Sequence, residues 1–141
     1  MTASLDQNDI ESVLLSCQHA HLGCCDSSEP YVVPISYVFH DGGIYGYTHV
    51  GKKIAMMRKN PRVCIQVGDY MKGRWRSVIL MGTYEELSGE NSKAAVVLLS
   101  KHINNTDGVL PFLPDDVVPK NSENQRIIYK INIAEMTGRI F

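Results

Sequence analysis

Hydrophobic and polar positions repeat with two different periods along this chain. Near the N-terminus, Ile10, Val13, Leu14 and Cys17 fall at i, i+3, i+4 and i+7, the single apolar face of a helix. Asn8, with Glu11 three residues on, fits a helix start. His21 to Ser27 reads as a first strand. From Tyr31 to Phe39 the period becomes two. Tyr31, Val33, Ile35, Tyr37 and Phe39 share one face, and Val32, Pro34, Ser36 and Val38 share the other. Asp41-Gly42-Gly43 predicts a hairpin turn into a strand over Ile44 to Thr48. A short helix is expected from Gly51 to Lys59, stopped by Asn60-Pro61. Arg62 to Val67 alternates again, and Gly68 to Gly73 reads as a loop. Arg74 to Leu87 is a long strand in which Gly82 predicts a bulge or bend. Ser92 to Ile103 predicts an amphipathic or buried helix. Asn104 to Asn124 predicts a long loop, of a length often used as a lid or interface arm. Arg126 to Ile133 predicts a last strand, with Ile127, Tyr129, Ile131 and Ile133 facing inward.

The strands come in hairpin-linked runs rather than alternating with helices. The expected class is mainly β (α+β), a single domain over residues 1–141. About six antiparallel strands with three peripheral helices form a sheet or barrel. A chain of 141 residues buries enough surface to fold without staples. Fourteen basic and fifteen acidic residues leave a net charge of -1. That gives no overall pull toward nucleic acid or anionic lipid, so any anion site must be local. The N-terminus has no basic region followed by an apolar core, and no apolar run is long enough to span a membrane. The expected location is therefore cytoplasmic, with the four cysteines as thiols.

The local anion site has a clear candidate. In Tyr45-Gly-Tyr-Thr-His-Val-Gly-Lys-Lys-Ile a strand ends, a glycine follows, and Lys52 and Lys53 occupy the first helical turn. Cations are misplaced there on dipole grounds, since a helix N-terminus is already positive. Free N–H groups, dipole and two ammonium groups together suit a phosphate, and the hydroxyls of Tyr47 and Thr48 stand nearby. A solvated basic helix face is the plainer alternative. Pro34 interrupts a strong strand and so belongs at an edge or bulge, with Ser36 on its face. Trp75 and Ser77 share a face at the start of the long strand, where an aromatic beside a hydroxyl suits one side of a flat ring. Cys17, His19, His21, Cys24 and Cys25 are metal-ligand types within nine positions, but they lack a C-x-x-C knuckle. No metal site is expected.

Taken together, these segments resemble the pyridoxamine 5′-phosphate oxidase-like FMN-binding split-barrel family. The branch most similar is that of small flavin-nucleotide-binding proteins related to nitroimidazole-resistance proteins. The likeness rests on Pro30-Tyr-Val-Val-Pro-Ile-Ser-Tyr-Val, Ile44-Tyr-Gly-Tyr-Thr, Gly51-Lys-Lys-Ile, Met57-Arg-Lys-Asn-Pro-Arg-Val-Cys, Trp75-Arg-Ser-Val-Ile-Leu-Met-Gly-Thr-Tyr-Glu-Glu-Leu and Tyr129-Lys-Ile-Asn-Ile-Ala-Glu-Met-Thr-Gly-Arg. It spans nearly the whole chain, with the motifs in the expected order.

The resemblance implies a six-stranded antiparallel Greek-key split barrel that forms a homodimer with FMN at the subunit interface. It places the flavin phosphate on Lys52 and Lys53 and runs Pro34, Ile35, Ser36 and Tyr37 along the isoalloxazine. Tyr47 and Thr48 take the strand-end contact. Trp75, Ser77 and Val78 take the strand contact from the far side. Many relatives carry a histidine before the glycine-lysine motif. Here that region holds Tyr47 and His49 is offset, so His49 is not assigned as catalytic. The chain ends Gly138-Arg-Ile-Phe rather than in the Arg-Leu-x-Pro type of the oxidase itself. The function this implies is an FMN-dependent oxidoreductase acting on a small molecule. A flavin carrier or redox sensor without turnover is the alternative, followed by a haem- or metal-binding barrel, although His102 reads as a surface or core residue rather than an axial ligand.

Overall fold

A computed structural model describes residues 2–102 and 126–141. Ile103 and the predicted loop Asn104–Asn124 lie outside the described residues. The chain runs β1 (Ala3–Ser4), α1 (Gln7–Ser16), β2 (His19–Asp26), β3 (Glu29–Ser36), β4 (Val38–His40), β5 (Gly43–His49), α2 (Lys52–Lys59), β6 (Arg62–Met71), β7 (Arg74–Glu86), α3 (Gly89–His102) and β8 (Arg126–Ile140). The strands form one antiparallel sheet in the order β3-β2-β6-β7-β8-β5-β4, with β1 added to β8. The class is as expected, but the described residues hold eight strands rather than six. The two extra ones, β1 and β4, are two and three residues long.

The sheet curls until β3 comes beside β5, yet no ladder joins them. β4 pairs with only the first part of β5, Gly43 to Tyr45. The remaining half of β5 therefore faces the outer edge of β3 across an open seam. Pro34 lies on that edge strand, where its missing N–H disrupts no interior ladder. Tyr31–Phe39 is not one continuous strand. The strand ends before Tyr37, whose N–H bonds the Gln18 carbonyl at 3.0 Å, one step past the last β2–β3 pair. Beyond the break the two-residue alternation fails: Tyr37 and Val38 are both buried, Val38 beneath α3.

Gly68–Gly73 is also not a loop. β6 continues through Met71 and turns at Lys72-Gly73, both in the left-handed region. Those φ angles are the ones a two-residue hairpin needs. Gly68 and Asp69 read as loop residues but occupy ladder positions opposite Ser77 and Arg76. β7 has its register shift at Met81/Gly82, the predicted bulge. A Cβ at Gly82 would stand 2.5 Å from the Asn132 carbonyl oxygen, so the bulge requires glycine. β8 runs seven residues past the expected end at Ile133 because its second half pairs with the start of β7 and with β1.

The barrel interior is filled by Leu22, Ile44, Ile65, Val67, Val78, Leu80, Tyr129 and Ile131, all at most 1% exposed. Each contributes roughly 1.5–3 kcal/mol of transfer free energy. α1 closes one end with Ile10, Val13 and Leu14. Its cap is Asp6, whose carboxylate accepts the Asp9 N–H at 2.8 Å, two residues before the Asn8 start that the sequence suggests. Tyr37 ties α1 to the barrel by donating its hydroxyl to the Leu14 carbonyl at 2.8 Å, which satisfies one of the last-turn carbonyls of the helix. Burial pushes the Tyr37 phenol far above its ordinary pKa. No helix among the described residues is long and apolar enough to cross a membrane.

Replacing Tyr37 with Phe leaves the Leu14 carbonyl buried and unpaired. Urea denaturation of the Tyr37→Phe protein is expected to show a loss of about 1–3 kcal/mol, seen as a lower midpoint with an unchanged slope.

Candidate functional site

The site begins where β5 ends. Thr48 donates its hydroxyl to the His49 carbonyl at 3.3 Å, and the chain turns through Val50 and Gly51 into α2. Gly51 is the N-cap and supplies no side-chain cap, and the first turn contains no acidic residue. The N–H groups of that turn therefore have no side-chain acceptor from the cap or from a first-turn carboxylate. Among the described residues no side chain caps this helix end, and two lysines border it.

The lysines differ in environment. Lys52 is exposed and sits 4.7 Å over the Tyr31 ring, with Nζ 3.3 Å from Glu29 Oε1. Glu29 at the start of β3 therefore shares this ammonium with any anion that binds. An exposed pair of this kind contributes little stability. Lys53 is half-buried, and burial pushes its ammonium pKa down. A charge held in that position is better solvated by a bound anion than by the protein alone. Arg126, opposite His49 in the β5–β8 ladder, has Nη1 buried without a partner among the described residues. The sequence reading missed both Glu29 and Arg126, because each reaches this end only through strand pairing.

The other expected contacts divide by face. Ile35, Tyr37 and Val78 point into the core. Their side chains are not at any surface, and only backbone atoms at these positions could meet a ligand. Pro34, Trp75 and Ser77 point outward, as the alternation requires. Ser36 is half-buried, with its hydroxyl 3.2 Å from His19 Nδ1. Tyr47 is half-buried against the cluster beneath α3.

Pro34 and Trp75 meet in a cleft of about 510 Å³ on the outer face of β3, β2, β6 and β7, with His19, His21, Gln66 and Gly68. Ser77 adjoins it, accepting a hydrogen bond from Gln66 Nε2 at 3.1 Å. Gly68 keeps the floor low, since a Cβ there would stand 3.0 Å from the Trp75 indole nitrogen. Trp75 stacks on Phe141 at 5.0 Å between centroids, which holds the indole upright at the rim. His19 and His21 could have been found from their i, i+2 spacing on a strand. A second cleft of about 640 Å³ between α3 and the β4–β5 hairpin includes His102 and none of the expected site residues. Among the described residues no three His, Cys, Asp or Glu side chains gather as a metal would need.

The profile described as pyridoxamine 5′-phosphate oxidase matches residues 6–140. An uncharacterised protein of Rhizobium meliloti (strain 1021) is 30% identical over 142 residues, covering 96% of this chain and 92% of its own. The crystal structure of an FAD-binding protein from Mesorhizobium loti is 31% identical with a TM-score of 0.79, over 100% of this chain and 99% of that one. A proposed 5-nitroimidazole antibiotic resistance protein of Bacteroides thetaiotaomicron shares the fold at a TM-score of 0.82 and 24% identity, over 100% of this chain and 88% of that one.

Two substitutions test the anion site. Lys53→Met removes a partly desolvated charge, so the ligand-free protein should melt no lower than wild type. Inorganic phosphate should raise the melting temperature of the wild type and leave that of the variant unchanged. Glu29→Gln frees Lys52 from its competitor, so the phosphate midpoint should fall severalfold. The same thermal-shift titration reads both outcomes.

Proposed function

The chain belongs to the pyridoxamine 5′-phosphate oxidase family, and from that footing we propose that it binds FMN along the open seam as a homodimer and acts as a flavin-dependent oxidoreductase on a small molecule. The observation that supports this most is the N-terminus of α2, with no side-chain cap among the described residues and with Lys52 and Lys53 beside it. A terminal phosphate meets there the helix dipole, free N–H groups and two cations at once. Arg126 Nη1, at the same end of β5 and without a hydrogen-bond partner among the described residues, fits a further negative group. Tyr47 and Thr48 flank the ribityl tail in this reading. The backbone of Pro34 to Tyr37 runs along the ring, with Trp75, Ser77 and the Val78 backbone on the far side.

The second copy is supported by apolar surface. Val32 and Trp75 are 65% and 46% exposed, and Ile79 and Met81 are exposed on the same outer face. Apolar groups gathered this way on a sheet face mark an interface. A partner covering them would also wall in the cleft and keep water from the ring.

Bound flavin supplies hydride and electron transfer, and the chain supplies placement. Lys52, Lys53 and the α2 N–H groups fix the phosphate end. Trp75 and Gly68 shape a flat space for the ring end. The Mesorhizobium loti relative is an FAD-binding protein. A single terminal phosphate accounts for the groups at α2, and FMN is the expected occupant.

The purified protein, reconstituted with FMN, should show a flavin spectrum and elute from gel filtration as a dimer of the 15.8 kDa chain. Chromatography of the heat-released flavin should identify FMN after exposure to an equal mixture of FMN and FAD. NADH or NADPH should bleach the flavin, and an added acceptor should restore it. A colourless protein that takes up no flavin overturns the proposal. A flavin that stays oxidised across a donor panel leaves the carrier or sensor reading in its place.

A further inference from the structure

Two histidines outside the expected contacts are fixed within the outer-face cleft. His19 and His21 occupy alternate positions of β2 and so project from the same face of the sheet. Each ring is anchored through Nδ1. His19 Nδ1 lies 3.2 Å from Ser36 Oγ, and His21 Nδ1 lies 3.3 Å from Gln66 Oε1. No described residue engages either Nε2. Both rings line the cleft and both are exposed.

The hydrogen bonds set what His21 presents. Gln66 uses its amide nitrogen to donate to Ser77, so its oxygen faces His21. A carboxamide oxygen only accepts, and Nδ1 of His21 therefore carries the proton. In the neutral ring Nε2 of His21 is then an acceptor. His19 has no such constraint. The Ser36 hydroxyl can donate to its Nδ1, which leaves Nε2–H of His19 as a donor. An acceptor and a donor thus stand two residues apart along one strand. The cleft is otherwise neutral. Asp69, at its edge, is held by Arg76 through two bonds of 2.9 and 2.6 Å. No lysine or arginine is among the residues lining it. It suits a flat, uncharged, hydrogen-bonding edge better than an anion.

We infer that His19 and His21 read a cyclic imide edge, an N–H beside a carbonyl, on a planar ligand in this cleft. His21 Nε2 accepts from the imide N–H and His19 Nε2–H donates to the adjacent carbonyl. The inference rests on the flavin reading above, in which the edge is the pyrimidine end of the ring. It assigns that end to β2 and leaves the phosphate end to α2.

The test uses full-length apo-protein titrated with riboflavin and with N3-methylriboflavin, followed by flavin fluorescence. Neither probe carries a phosphate, so only ring contacts are read. Wild type should bind N3-methylriboflavin at least tenfold more weakly than riboflavin. His21→Leu, on an exposed position, should bind the two alike. Lys53→Met should keep the discrimination while losing the preference for FMN over riboflavin. Equal wild-type affinity for the two riboflavins overturns the inference while the flavin reading stands, and so does discrimination that survives in His21→Leu. A wild type that binds neither riboflavin nor FMN overturns both.

Discussion

The arrangement of this molecule depends on a barrel that does not close. A strand edge carries N–H and C=O groups that must find partners in the protein, in water or in a ligand. Here β3 and the second half of β5 bring two such edges side by side without pairing them. Pro34 and the break at Tyr37 both act on β3. The proline removes a donor from the edge, and the N–H of Tyr37 stays on the β2 side, bonded to Gln18. The short β4 covers only the first residues of β5. The polypeptide thus leaves one seam of backbone polarity open, and α2 starts at the end of it.

Charge around the seam is divided between neutral and unsatisfied regions. At the edge of the outer-face cleft, Asp69 and Arg76 compensate each other at short distance while largely buried. At the α2 end the balance is incomplete. The carboxylate paired with Lys52 is solvent-exposed, Lys53 is partly desolvated with its pKa pushed down, and Arg126 has a buried nitrogen with no partner among the described residues. A molecule with a flat neutral part and a charged tail matches that division. A chain of net charge -1 can therefore concentrate positive charge at one point without attracting anions overall.

Much of this was legible in the sequence, and what was missed has a common cause. Period-two alternation located the strands because one face of each is buried. Asp41-Gly42 located a turn and Gly82 the bulge because each needs a backbone that few residues tolerate. The lysine pair was legible because it violates the dipole preference. The misses came from contacts distant in sequence. Gly68 and Asp69 look like loop residues until β7 is placed beside them. The end of β8 has no alternation strong enough to show that β1 and β7 extend it. Glu29, His19 and Gln66 matter only because β3, β2 and β6 are neighbours, and a single sequence does not give strand order.

The division of the expected contacts by face separates two roles that a list of residues merges. Ile35, Tyr37 and Val78 belong to the core by their side chains. Their side chains are constrained by packing density, where a single methylene is felt. Pro34, Ser36, Trp75 and Ser77 meet the outer face instead, where packing asks little of them. The same strand therefore maintains the fold at odd positions and shapes the cleft at even ones on β3, with the parity reversed on β7. A barrel built in this way can change what its outer face recognises without repacking its interior. That independence is a physical reason for one architecture to tolerate sequence identity as low as 24% at a TM-score of 0.82.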